Sequence, residues 1–173
     1  MKKSILYSLL VMLLVVVLDQ VSKGALLYMI LGNVPLGGAS FQLVPYPYLM
    51  SHVTDFFNLV FTWNPGTSFS LFRALGESAP LLIIFLTGAI IGFLGYQLFV
   101  RKNTKLETVA LAMITGGALG NLIDRLRFGA VIDFLDFHVG GLHWPAFNAA
   151  DVFISIGVFL FVLGLFINKK GKK

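Results

Sequence analysis

The chain has 173 residues, 57% of them hydrophobic and 12% charged, with a net charge of +5 and a mean hydropathy of +0.87. Soluble domains carry about 25% charged residues, so a soluble globular protein is excluded and an integral membrane protein is expected, a single domain over residues 1–173. Cysteine is absent, which excludes a thiol nucleophile, disulfides and cysteine metal sites.

In chain order, residues 4–31 read as one long first span. Lys2-Lys3 ahead of an apolar stretch is like a signal peptide, but no small-x-small cleavage site follows, and apolar residues resume at Leu26. Asp19 and Lys23 lie inside this span, four apart and so on one helix face, where they read as a self-neutralising pair. A Ser22–Lys23 dyad is disfavoured, because adjacent helical positions do not face each other.

Residues 32–79 form a segment outside the membrane. Within it Phe57, Leu59, Phe61 and Trp63 alternate with Asn58, Thr62 and Asn64, a strand pattern. Asn64-Pro65-Gly66-Thr67 fits a type II turn, with residues 68–72 as the return strand. Asn64 and Gly66 are explained by turn chemistry alone.

Residues 80–100 are the clearest span, 21 residues without a charge and long enough for a core of about 30 Å. Residues 101–105 form a short basic loop. The third span, 106–123, carries Gly116, Gly117, Ala118 and Gly120, which predict close helix packing. Asn121, Asp124 and Arg125 cluster at its exit. Asp124 reads as an interfacial ion pair with Arg125 or Arg127, and Asn121 as an interhelical hydrogen-bond donor.

A second outward segment, 124–148, precedes the last span at 150–167. Asp133 and Asp136 sit there in an apolar setting, on opposite faces if the segment is a strand and on one face if it is a helix. His138 and His143 lack a third strong ligand, so no metal site is expected. Asn148 reads as an N-cap with Asp151 in the first turn, and capping alone accounts for Asp151. A carboxylate at membrane depth costs about 2.5–3.5 kcal/mol, however, and Asp124, Asp133, Asp136 and Asp151 all fall on one face of the membrane. Paired carboxyls can activate water without a metal. The architecture expected is an α-helical membrane protein of four transmembrane helices with a small extracytoplasmic β-element. Lys2, Lys3, Arg101, Lys102, Lys105 and the C-terminal lysines put both termini and the 101–105 loop in the cytoplasm. A proton channel would spread its acids through membrane depth, whereas a scaffold would use them only to cap and pair.

Five blocks in order carry a resemblance: Asp19-Gln-Val-Ser22-Lys23; Asn64-Pro-Gly66-Thr-Ser68-Phe69-Ser70; Gly117-Ala-Leu-Gly120-Asn121-Leu-Ile-Asp124-Arg125; Val131-Ile-Asp133-Phe134; and Phe147-Asn148-Ala-Ala150-Asp151. Over nearly its whole length the chain resembles lipoprotein signal peptidase, signal peptidase II, a membrane aspartic peptidase family. It departs from the family pattern at Thr67 and Ser68, where alanine is common. The resemblance implies Asp133 and Asp151 as catalytic dyad. Asn64, Gly66, Asn121, Arg125 and Asn148 would position substrate and dyad, with Asp124 among the supporting residues. Asp19 and Lys23 would brace the site or contact substrate. The implied substrate is a diacylglyceryl-modified prolipoprotein, cut just before the lipidated cysteine at the outer face of the bacterial inner membrane. Membrane lipid is the other partner. Neither a cofactor, a metal nor nucleic acid is expected, and the protein is expected to act as a monomer.

Overall fold

The computed structural model describes residues 2–31, 51–66 and 79–170. Among these, four helices are long and apolar enough to cross a membrane: α1 (Lys2–Leu31), α2 (Ala79–Phe99), α3 (Lys105–Phe128) and α4 (Ala149–Lys170). They answer to the four expected spans, and the chain is a multi-pass membrane protein. Their surfaces agree with that reading. α1 exposes Leu6, Leu10, Leu13 and Val17, α2 exposes Leu81, Phe85, Ile90 and Phe93, and α4 exposes Ile156, Phe159, Val162 and Phe166. Apolar side chains bared over whole turns fit hydrocarbon rather than water.

α3 differs from the others. Some 56% of its apolar stretch is buried, against 17% for α1, 11% for α2 and 17% for α4. Small residues allow this. A Cβ at Gly116 would come within 2.9 Å of the Met12 carbonyl of α1, and one at Gly117 within 2.6 Å of the Ala150 carbonyl of α4. From the α4 side, a Cβ at Gly157 would stand 2.8 Å from the Ala110 carbonyl. Backbones this close have no room for side chains between them. Leu98 of α2 joins Leu111 and Ala112 of α3 in a buried cluster, against which Val11, Met12, Leu94 and Phe161 pack.

α3 also runs past its expected end at 123, to Phe128. The charge at Asp124 does not stop the helix because its carboxylate is buried and bonded. The Gly129 amide, donating to the Arg125 carbonyl at 2.9 Å, closes the last turn.

Among the described residues four strands form one sheet in the order β1-β2-β3-β4: β1 (Ser51–Thr54), β2 (Phe57–Asn64), β3 (Val131–Val139) and β4 (Leu142–His143). All neighbours run antiparallel. The expected strand over residues 57–63 is β2. Its two edges are taken by β1 and β3, and the return strand placed at 68–72 lies outside the described residues. β2 does not keep one apolar face throughout. Asn58 and Val60 are buried while Phe57 and Leu59 are only partly so, and Phe61 is buried in turn. The register with β3 shifts between Leu59 and Thr62, and a one-residue slip of this kind exchanges the faces of a strand. β3 and β4 are joined by Gly140 and Gly141 at φ +56° and +83°. A two-residue hairpin with positive φ at both positions is where glycine carries no steric penalty.

Among the described residues the chain divides into two compact units. One holds Met1–Asp19, Phe85–Asn121 and Ala149–Lys173, and the other Gln20–Ile84 and Leu122–Asn148. The first is helical. The second carries the sheet, whose root packs on helix ends: the Trp63 ring lies 5.5 Å from that of Phe128, and the Ile132 amide donates to Asp124.

Candidate active site

Asp133 lies on β3, opposite Thr62 of β2, and is buried. The open question of strand or helix is settled as strand, so Asp133 and Asp136 leave opposite faces. Each oxygen of Asp133 accepts an asparagine amide. Asn64 donates to Oδ2 at 2.9 Å and Asn148 donates to Oδ1 at 2.7 Å. The Asn64 amide is oriented by its own turn, because its Oδ1 accepts the Gly66 N–H at 2.8 Å. Its Nδ2 is thereby committed to Asp133. Gly66 has φ +75°, the value the third position of a type II turn demands. A Cβ there would also meet Ile83 Cδ1 at 2.9 Å and Arg125 Nη2 at 3.7 Å, so the Arg125 guanidinium runs beside this turn.

Asp124 is buried, and its partners correct the expected surface ion pair with Arg125 or Arg127. Lys23 Nζ lies 2.7 Å from its Oδ2, Gln20 donates to Oδ1 at 2.9 Å, and the Ile132 N–H donates to Oδ2 at 3.3 Å. Helix spacing could not name Lys23 as a partner of Asp124, because the two lie 101 positions apart. Arg127 has other work: it donates to Gln20 Oε1 at 3.5 Å and lies over the Phe128 ring at 4.8 Å.

Asp136 belongs to a separate network. Asn58 donates to its Oδ2 at 2.9 Å, and the His143 Nδ1–H lies 2.9 Å from both oxygens. Burial works to raise this carboxyl. The hydrogen bonds from Asn58 and His143, with the nearby imidazoles of His143 and His138, outweigh it and hold the group below the usual aspartate value. His138 and His143 stack at 4.9 Å. Among the described residues no group of three His, Asp or Glu side chains is placed to hold a metal.

In the helical unit, Asp151 stands in the first turn of α4. Asn121 of α3 donates to its Oδ1 at 2.8 Å, the interhelical bond expected of that residue. Asp19 of α1 is buried and accepts the Ala150 N–H at 3.0 Å. It fits against Gly120, where a Cβ would stand 2.5 Å from Asp19 Oδ2.

The sequence reading missed Gln20, and it missed the two backbone amides of Ile132 and Ala150. Gln20 sits inside the first of the five blocks, so a signal existed. For the amides there was none, since every residue except proline offers one.

Asp124, Asp133 and Asp151 are therefore each held by side-chain amides, and Asp19 accepts a backbone N–H. The family model of signal peptidase (SPase) II matches residues 11–167. The chain belongs to the signal peptidase II family and is an aspartic peptidase. It is 42% identical over 162 residues to the lipoprotein signal peptidase of Anaplasma phagocytophilum, covering 94% of this chain and 92% of that one. It is 49% identical over 119 residues to that of a Janthinobacterium strain, covering 68% and 72%. A bacterial membrane enzyme solved by the in meso method at 2.3 Å superposes with a TM-score of 0.71 at 29% identity, covering 96% of this chain and 92% of that one. A second, at 1.9 Å, gives a TM-score of 0.68 at 30% identity, covering 92% of both. The signal peptidase II match takes in part or all of each of the four helices.

Proposed function

We propose that Asp133 and Asp151 are the catalytic dyad of this signal peptidase II. The enzyme removes the signal peptide of diacylglyceryl-modified prolipoproteins by cleaving just before the lipidated cysteine. What supports the dyad assignment is the signal peptidase II match together with an asparagine amide on each of the two acids. Asp133 accepts the amides of Asn64 and Asn148, and Asp151 accepts that of Asn121. Asn148, whose amide holds Asp133, also lies three residues before Asp151 in the chain.

In an aspartic dyad one carboxyl works as base and its partner as acid. The ionised partner takes a proton from water as the oxygen attacks the scissile carbonyl. The protonated partner supports the developing oxyanion and then protonates the leaving amine. Asn64, Asn121 and Asn148 orient the carboxylates, and Gly66 sets the turn that aims Asn64. Arg125, beside that turn, positions substrate. The 173 residues act as one peptidase domain and as a monomer. Membrane lipid surrounds the spans, both termini are cytoplasmic, and the site opens at the outer face of the bacterial inner membrane. No cofactor and no metal enter the mechanism.

The test is cleavage of a purified lipidated prolipoprotein, with the released signal peptide identified by mass. Asp133→Asn and Asp151→Asn should each lower the rate roughly 10²–10⁴-fold while keeping the folded yield in detergent. Folded Asn variants that cleave at the wild-type rate would remove the dyad.

A further inference from the structure

Three buried acids have no part in the dyad, Asp19, Asp124 and Asp136, and the backbone partners of the first two follow one pattern. Asp124 accepts the N–H of Ile132, the residue immediately before Asp133. Asp19 accepts the N–H of Ala150, the residue immediately before Asp151. We infer that Asp19 and Asp124 are positioning residues, each aiming one catalytic aspartate through the peptide N–H of the residue before it. The inference rests on the dyad proposed above.

Asp19 acts at a helix start. The first amides of α4 have no acceptor within their own helix, and a carboxylate is the favoured partner at the positive end of the helix dipole. The acid comes from α1. It has space there because residue 120 is glycine: a Cβ would stand 2.5 Å from Asp19 Oδ2 and 3.1 Å from its Cγ. The next residue, Asn121, donates to the Asp151 carboxylate itself. The backbone leading into Asp151 is thus fixed from α1 and its side chain from α3. Asp124 does the corresponding work at the start of β3. Lys23 and Gln20 hold its carboxylate at 2.7 and 2.9 Å, and one of its oxygens takes the Ile132 N–H. Asp133 then has its backbone fixed by Asp124 and its carboxylate by Asn64 and Asn148. Asp19, Gln20 and Lys23 all come from one stretch of α1, so three residues within five positions supply or steady both backbone anchors.

Positioning makes a specific kinetic claim. A misplacement of about 1 Å can cost roughly 100-fold in rate, and it acts on kcat rather than on substrate binding. Full-length variants purified in detergent are assayed on lipidated prolipoprotein across pH, with folded fraction measured in parallel. Asp19→Ala should lower kcat at least about tenfold with KM unchanged. Asp19→Asn should recover kcat and keep the wild-type pH profile, since its amide oxygen still accepts the Ala150 N–H. Gly120→Ala retains Asp19 but displaces it, and it should show the same fall in kcat. It carries the test if Asp19→Ala fails to fold. For Asp124 the comparison is made on one shared Lys23→Met background, where Asp124→Ala should have a kcat at least about tenfold below that of Asp124→Asn.

A rise in KM with kcat intact would make these acids substrate contacts. A lost limb of the pH profile in Asp19→Asn would make Asp19 a proton carrier. Wild-type kcat in Asp19→Ala or Gly120→Ala, or equal rates for Ala and Asn variants, would show no aiming through the N–H. Each of these outcomes overturns the inference. Asp133→Asn and Asp151→Asn run alongside. If they cleave normally, the dyad itself is wrong; if they are dead while Asp19→Ala keeps its kcat, only the positioning role falls.

Discussion

Asp133 and Asp136 stand three residues apart on β3, and burial alone does not tell their roles apart. What separates them is their partners. Asp133 receives two asparagine amides, whereas Asp136 receives one amide and an imidazole. Asn64→Ala should therefore lower kcat. A hydrogen bond to a charged group contributes about 1.5–3 kcal/mol, which corresponds to a loss of roughly 10–150-fold in the cleavage assay. Asp136→Asn should keep most cleavage activity and cost about 1–3 kcal/mol of stability, read by denaturation in detergent. That stability is pH-dependent. The folded carboxyl of Asp136 is held below its usual value, so its contribution is fully present above the unfolded aspartate pKa of about 3.9 and is lost as pH falls through the folded value. The stability gap between wild type and Asp136→Asn should be constant near neutrality and close in acid. A gap that instead widened on acidification would contradict the pairing with Asn58 and His143.

At the scale of elements, tight helix packing is a claim about particular glycines. A Cβ at Gly157 of α4 would stand 2.8 Å from the Ala110 carbonyl and 3.1 Å from the Ile114 amide, while one at Gly92 of α2 would have nothing within 4 Å. Gly157→Leu should overpack the contact between α3 and α4 at a cost of about 1–3 kcal/mol or more and lower the melting temperature in detergent. Gly92→Leu should leave it near wild type. Equal melting temperatures for the two would argue against close backbone approach as the reason for small residues. The strands follow a related logic. The bulge in β2 between Leu59 and Thr62 sets which of its residues faces the core, and it pairs Thr62 with Asp133.

For the whole molecule, the charge distribution fixes an expected orientation. Lys2, Lys3, Arg101, Lys102, Lys105, Lys169, Lys170, Lys172 and Lys173 mark one side, and only Lys23, Arg73, Arg125 and Arg127 fall elsewhere. Positive-inside then puts the β3–β4 hairpin outside the cell membrane. The chain has no cysteine, so single introduced thiols can be labelled without background. Leu142→Cys, at a well-exposed position, should react with an impermeant maleimide on intact spheroplasts. Asn103→Cys should react only after the membrane is opened. Labelling in the reverse order would invert the topology. Chelators should leave the rate unchanged; inhibition by EDTA would turn attention to His138 and His143.

The sequence by itself determined the four spans, the strand at residues 57–63, the tight turn at Gly66 and the family. Each of these is a local signal: an uncharged run long enough for hydrocarbon, a period of two, a Pro-Gly pair, short ordered blocks. Local signals also marked which polar residues were unusual, because an acid in an apolar stretch stands out against its neighbours. The pairing of those residues was not legible. Asp124 was read with Arg125 or Arg127, whereas the fold placed Lys23 on it and Arg127 beside Gln20. These partners lie about a hundred positions apart in the chain, and no periodicity reaches that far. The extension of α3 to Phe128 was hidden for the same reason, since whether a charge ends a span depends on whether another helix supplies its counter-charge. Backbone amides hold the residues ahead of Asp133 and Asp151, and every sequence carries such groups almost everywhere. Only tertiary packing, by burying an acid within reach of one of them, gives it a role.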